Sequence, residues 1–136
     1  MARILAIDYG EKRCGVAVTD ESKIIASGLT TVAAKELLVW LQEYVSKEEV
    51  ELFIVGEPKR LHGEASEIEK VIRPFLEKLH KTFPDIPVKR MDERFTSKMA
   101  FDTMLASGIS KKKRRDKALV DQISATIILQ DYLYNL

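Results

Sequence analysis

The chain has 136 residues, 46% hydrophobic and 32% charged, a composition that supplies one domain with its own core and excludes intrinsic disorder. Lys and Arg number 22 against 21 Asp and Glu, so the net charge of +1 selects no class of partner by itself. The single cysteine, Cys14, excludes an intramolecular disulfide framework, and no stretch approaches the roughly 18 apolar residues of a membrane span.

These limits, with an opening that lacks the pattern of a signal peptide, lead us to expect a cytoplasmic protein of one domain, residues 1–136, with no membrane partner. Charge is unevenly distributed. Acids gather over 43–51 and 64–69, whereas Lys111, Lys112, Lys113, Arg114 and Arg115 form an unbroken basic run.

In chain order, the run Ile4-Leu5-Ala6-Ile7 leads straight into Asp8, glycines follow at 10 and 15, and a second apolar run begins at Cys14. This is the pattern of two adjacent strands with an acid at the turn. Asp8 then projects from the end of a buried strand, where an Asx turn and a metal ligand on a rigid support are both open readings. Cys14, inside a strand, is expected to be a small buried hydrophobe rather than a reactive thiol.

Residues 14–19 predict a second strand, Asp20-Glu21-Ser22 a turn and 23–30 a third strand, together an antiparallel meander. Over about 32–45 the positions Leu37, Leu38, Leu41, Tyr44 and Val45 keep helical spacing, with Trp40 adding aromatic surface to a core-facing side. Leu52-Phe53-Ile54-Val55, ended by Gly56, reads as a strand buried on both faces of a mostly parallel sheet.

Ser66-Glu67-Ile68-Glu69 has the capping-box form, and Ile68, Val71, Ile72, Phe75, Leu76 and Leu79 continue a helix. Pro74 interrupts that pattern at a cost of about 3 kcal/mol, which predicts a kink or a later start. A short strand over 88–91 follows. A helix capped by Thr96 or Ser97 is expected to stop near Gly108, and the basic run then lies in a loop before a last helix over about 116–134. Three meandering strands followed by helix, strand, helix, strand and two helices predict an α/β fold, a mixed sheet covered by helices.

In such sheets, sites form at the carboxyl ends of the parallel strands. Asp8, Glu57 and Glu93 sit at such ends. Asp121 shares a helical stripe with Ala125, Ile128, Leu129 and Tyr132, so it lies on a face that otherwise points inward. The helix dipole is one reason for an acid there. The other is a cation, since converging carboxylates repel unless protonated, paired or metal-bound.

Hard oxygen ligands suit Mg²⁺ or Mn²⁺ and argue against zinc, and neither His62 nor His80 has metal-ligand spacing. Acids, a divalent cation and a basic loop together fit phosphodiester hydrolysis, in which two ions about 4 Å apart activate water and stabilise the leaving oxygen. Lysines and arginines outside the acid cluster then neutralise backbone phosphates.

Three motifs, Asp8-Tyr9-Gly10 with Gly15-Val16-Ala17, Asp92-Glu93-Arg94-Phe95-Thr96-Ser97, and Val120-Asp121-Gln122-Ile123-Ser124-Ala125 leading into Ile128-Leu129-Gln130, resemble those of the YqgF proteins. These are bacterial relatives of Holliday junction resolvases. The resemblance implies a ribonuclease H-like fold with a five-stranded mixed sheet, three antiparallel strands and then two parallel to the first, with Asp8 on the central strand. It implies a cytoplasmic nuclease, assigned in that family to 5′-end processing of pre-16S rRNA, with the ribosome as an open partner and branched DNA as the alternative substrate.

Carried over by position, the family's catalytic and metal-binding acids fall on Asp8, Glu93 and Asp121. The chain departs from the family at Gly56-Glu57-Pro58, where an apolar residue is usual before the proline. Glu57 is therefore either a fourth ligand, as in related ribonuclease H-like nucleases, or a loop residue paired with Lys59 or Arg60. Arg94 is a phosphate contact or a salt bridge to a site acid. Lys12, Arg13 and the run Lys111 to Arg115 are the remaining phosphate-binding candidates.

Two rivals stand beside this reading. Sugar kinases, actin and chaperone ATPases share the Asp-x-Gly turn, but they need a second lobe for which no residues remain. A nucleic-acid-binding module with little or no cleavage stays open.

Overall fold

The computed structural model describes residues 2–57, 67–92 and 117–134. Glu93, Arg94, the helix expected over 96–108 and the basic run 111–115 lie outside the described residues, as do Ser66, Lys59, Arg60 and His62. The described elements are β1 (Arg3–Asp8), β2 (Arg13–Thr19), β3 (Ala26–Ala33), a 3-10 turn (Ala34–Glu36), α1 (Leu37–Lys47), β4 (Val50–Glu57), α2 (Glu69–Thr82), β5 (Val88–Asp92) and α3 (Lys117–Tyr134).

They build the expected α/β architecture. The five strands form one sheet in the order β3-β2-β1-β4-β5, with β1 at its centre. β1 runs antiparallel to β2 and parallel to β4, β2 is antiparallel to β3, and β4 is parallel to β5.

Alternation along the strands divides the core into two layers. Leu5, Ile7, Cys14, Val16, Phe53 and Val55 face one way and pack with Leu37 and Leu41 of α1 and Ile72, Phe75 and Leu79 of α2. Ile4, Ala6, Ala17, Leu52 and Ile54 face the other way, against Ala125, Ile128 and Leu129 of α3. The Asp121 stripe is thus the inward face of α3, as its spacing implied. Thr19 is the buried polar residue of this sheet, and its Oγ1 accepts from Ile4 N at 2.9 Å, so the group is satisfied where it is sealed off.

Three boundaries differ from expectation, each for a local reason. β3 starts at Ala26 rather than near 23, because Asp20 Oδ1 accepts from the amides of Ile24 and Ile25 at 2.8 and 2.9 Å and Lys23 adopts φ 60°. That Asx-type turn consumes the residues expected to open the strand.

α1 starts at Leu37 rather than near 32, because Val32 and Ala33 still pair with Cys14 and Arg13 of β2. α2 starts at Glu69 with Ile68 at its N-cap and no side-chain cap from that residue, and Ser66 of the expected capping box lies outside the described residues. The Glu69 carboxylate pairs with Arg90 on β5. The later start agrees with the proline argument. Pro74 still lies inside the helix, and the buried side chains Ile72, Phe75 and Leu79, each worth about 1.5–3 kcal/mol, hold the segment in place. Among the described residues, no helix is long and apolar enough to cross a membrane.

Candidate active site

Asp8 ends β1 and is the register partner of Gly15 on β2. By the alternation that turns Ile4 and Ala6 toward α3, Asp8 lies on that same side, as do Arg13 and Gly15 along β2. A Cβ at Gly15 would lie 1.9 Å from the backbone carbonyl oxygen of Asp121 and 2.9 Å from Gln122 N. The backbone of α3 therefore crosses β2 on top of this glycine, and only a residue without a side chain permits the approach. One strand position thus touches both acids: Gly15 is beside Asp8 in the sheet and beneath Asp121 in the helix.

The side chains respond to this crowding. Arg13 Nε donates to Asp121 Oδ2 at 2.9 Å, with both side chains only partly exposed. Cys14 lies on the opposite face of β2, where its thiol donates to Gly10 O; burial pushes the thiol up to about 12, and the charges of Asp8 and Asp121 raise it further. The sealed, protonated Cys14 is the inert residue expected.

Beside Asp121 opens a cleft of about 340 Å³ lined by Gly10, Glu11, Lys12 and Arg13. Gly10 makes the turn tight, since a Cβ there would lie 2.5 Å from the Arg13 carbonyl oxygen. Lys12, a candidate phosphate contact, lines this cleft.

Glu57 is placed differently. It ends β4 in register with Asp92, and the pleat directs it with Phe53 and Val55 toward the α1 and α2 side, away from Asp8. Arg90 Nη1 lies 4.0 Å from Glu57 Oε2. The structure therefore sets Asp8 and the Asp121 backbone on either side of Gly15, and Glu57 beside Arg90 of the neighbouring strand. Among the described residues, no group of three or more His, Cys, Asp or Glu is gathered as a metal site. Glu93, the third expected ligand, is outside them. His80 is exposed on α2, away from the acids.

Two features escaped the sequence reading. The first is the Arg13 pairing with Asp121, across 108 residues of chain. The second is the anchor at Arg90, whose guanidinium donates to Val55 O at 3.1 Å, to Gly56 O at 2.9 Å and to both oxygens of buried Glu69. This ties the end of β5 to β4 and to the start of α2, directly before Glu93. The available signal was an arginine in a short strand, which carries no information about its partner.

Comparison with known proteins agrees with the three motifs. The family model described as "RuvX: Holliday junction resolvase" matches residues 2–135. A protein of Flavobacterium psychrophilum is 58% identical over 98% of this chain and 97% of its own length. One of Christiangramia forsetii is 61% identical over 98% and 99%. Both are named "Putative pre-16S rRNA nuclease".

Among solved structures, the Fowlpox virus resolvase in complex with Holliday junction DNA aligns with a TM-score of 0.60 at 12% identity, over 98% of this chain and 97% of that one. Thermus thermophilus RuvC with a Holliday junction substrate aligns with a TM-score of 0.59 at 15% identity, over 99% and 95%. At these identities the likeness speaks for the fold, which is the ribonuclease H-like one that the motifs implied. A family model spanning nearly every residue and relatives at about 60% identity over their full length place this chain in the RuvX family, the YqgF proteins of the motif comparison, and it belongs to that family.

Proposed function

We propose that this chain is a divalent-metal-dependent nuclease that hydrolyses phosphodiester bonds in RNA, acting as one cytoplasmic domain in 5′-end processing of pre-16S rRNA. The observation that carries this reading is the adjacency of Asp8 and Asp121 at the end of the central strand, created by the α3 backbone resting on Gly15. The names of the full-length relatives supply the substrate.

The donor set fits a hard cation. Both groups are carboxylates on one side of the sheet, while the thiol of Cys14 is buried on the other. Asp8 and Asp121 would hold Mg²⁺ or Mn²⁺ with Glu93, whereas Glu57 faces the other side of the sheet beside Arg90. When bound, such an ion lowers the pKa of water and offsets charge at the phosphate under attack.

The chain's own residues do the rest. β1 and α3 fix the two acids on rigid elements, so little reorganisation accompanies binding. Arg13, held beside Asp121, is within reach of a phosphate brought to the cleft, and Lys12 lines its floor. Arg94 and Lys111, Lys112, Lys113, Arg114 and Arg115 are the further phosphate-binding candidates in the sequence, and contacts of that kind weaken as salt rises. The ribosome is a partner consistent with that substrate.

The family description and the fold neighbours favour a second reading, an endonuclease acting on branched DNA. The test is cleavage of a pre-16S 5′-end fragment, an unrelated single-stranded RNA and a four-way DNA junction, each with Mg²⁺, with Mn²⁺ and with chelator. We expect metal-dependent cutting of the pre-16S fragment, abolished by Asp8→Asn. Cutting confined to the junction supports the second reading. Salt-sensitive binding with no cutting of any substrate reduces the chain to a binding module.

A further inference from the structure

On the other side of the β1–β2 turn from the acids lies a second cavity, of about 400 Å³, between that turn, the 3-10 turn and α2. Its wall is apolar and aromatic: Tyr9 stacks on Phe75 with ring centroids 4.6 Å apart and 28° between planes, and Leu38 and Pro74 flank the pair. Its rim carries Lys35 and Lys78, both exposed. Neither ammonium forms an ion pair with a carboxylate among the described residues, so their charge is available to a ligand. Phe75 is buried, so the half-buried Tyr9 supplies the aromatic contact, and an aromatic side chain beneath cationic groups takes a molecule that is planar and apolar at one end and anionic at the other, as each nucleotide of a single strand is.

The position adds to the chemistry. Tyr9 directly follows Asp8, and Glu11 lines both this cavity and the cleft at Asp121. A strand laid across the β1–β2 turn therefore passes from one concavity to the other. The volume is within the range of sites that enclose small ligands.

We propose that this cavity is a subsite for one unpaired nucleotide of the RNA strand flanking the cut, with its base against Tyr9, which Phe75 backs from the core, and its phosphates on Lys35 and Lys78. The inference rests on the nuclease reading and deepens it: the enzyme selects a single-stranded flank, because a base held in a duplex cannot enter.

The test is anisotropy of a labelled single-stranded RNA octamer and of its duplex, bound to full-length protein in Ca²⁺ without turnover, for the parent and the Lys35→Ala/Lys78→Ala pair. Both lysines are on the surface, so the fold is kept. We expect the parent to bind the single strand more tightly than the duplex. The double variant should weaken single-strand binding about tenfold, leave duplex binding within about twofold and reduce the slope of log affinity against log salt by about 1.4, two phosphate contacts at about 0.7 each.

Equal affinity for both forms, or an equal loss on both, overturns the subsite. A change in molar mass by light scattering on substitution, with RNA affinity kept, assigns the cavity to a second copy of the chain and also overturns it. Metal-dependent cleavage by the parent, measured in parallel, separates the two levels. If cutting persists and the variant binds like the parent, the subsite alone fails. If the parent neither binds nor cuts RNA, the nuclease reading fails with it.

Discussion

Arg13 Nε meets Asp121 Oδ2 at 2.9 Å across a sequence separation of 108, joining β2 to α3 at the acid cluster. With the two side chains 37% and 24% exposed, the pair is worth about 1 kcal/mol or less to the fold. Its larger effect is on the carboxylate, for which the guanidinium and a divalent cation compete. Arg13→Gln is therefore expected to tighten Mn²⁺ binding several-fold by calorimetry in the absence of RNA, while slowing cleavage through loss of a phosphate contact. Weaker Mn²⁺ binding by the variant would contradict this role.

Gly15→Ala tests the contact that brings the acids together. The new methyl would lie 1.9 Å from the Asp121 carbonyl oxygen and 2.9 Å from Gln122 N, both backbone atoms that cannot rotate away. Overpacking of this kind costs about 3 kcal/mol, read as a lower urea midpoint, and displacing α3 separates Asp121 from Asp8. We expect Mn²⁺ affinity to fall with stability. A variant as stable as the parent would mean that α3 does not rest on β2 here.

Glu69 gives stability a pH dependence. Its hydrogen bonds from Arg90, with the attraction of Arg90 and Arg73, hold the carboxyl below the usual range despite the opposing effect of burial. The unfolded chain therefore takes up this proton at a higher pH than the native one. The contribution is complete above the unfolded glutamate value and is lost as pH falls through the lowered native value. Glu69→Gln, which leaves Arg90 only the Glu57 carboxylate 4.0 Å away, should cost about 3 kcal/mol at pH 7 and flatten the acid limb of the stability profile measured from pH 7 to 3. An unchanged acid limb would show that another group governs it.

Cys14 should resist alkylation. Its thiol is fully buried and pushed up to about 12, so iodoacetamide at pH 8 is expected to leave the native protein unmodified and to label it completely in denaturant. Rapid labelling of the native protein would place β2 differently.

What the chain disclosed in advance follows from where information is local. The runs Ile4 to Ile7 and Leu52 to Val55, and the inward stripe of α3 from Asp121 to Leu129, are set by hydrophobic period, and the structure keeps them. The opening of β3 is hidden because Asp20 redirects the amides of Ile24 and Ile25, a choice between turn and strand that propensity does not make.

Strands buried on both faces also conceal their own orientation. Leu5 and Ile7 are as apolar as Ile4 and Ala6, so nothing in the pattern shows that Asp8 and Glu57 leave the sheet on opposite sides. Pairings such as Arg13 with Asp121 and Arg90 with Glu69 depend on three-dimensional register alone.

The central claim is that Asp8 and Asp121, neighbours through Gly15, share one divalent cation that cleavage requires. The most direct measurement is Mn²⁺ titration calorimetry on the parent, Asp8→Asn and Asp121→Asn, with cleavage of the pre-16S fragment followed on the same samples. The account predicts that each single substitution lowers Mn²⁺ affinity and the cleavage rate by about 100-fold or more. Either variant binding Mn²⁺ and cutting RNA as the parent does would contradict it.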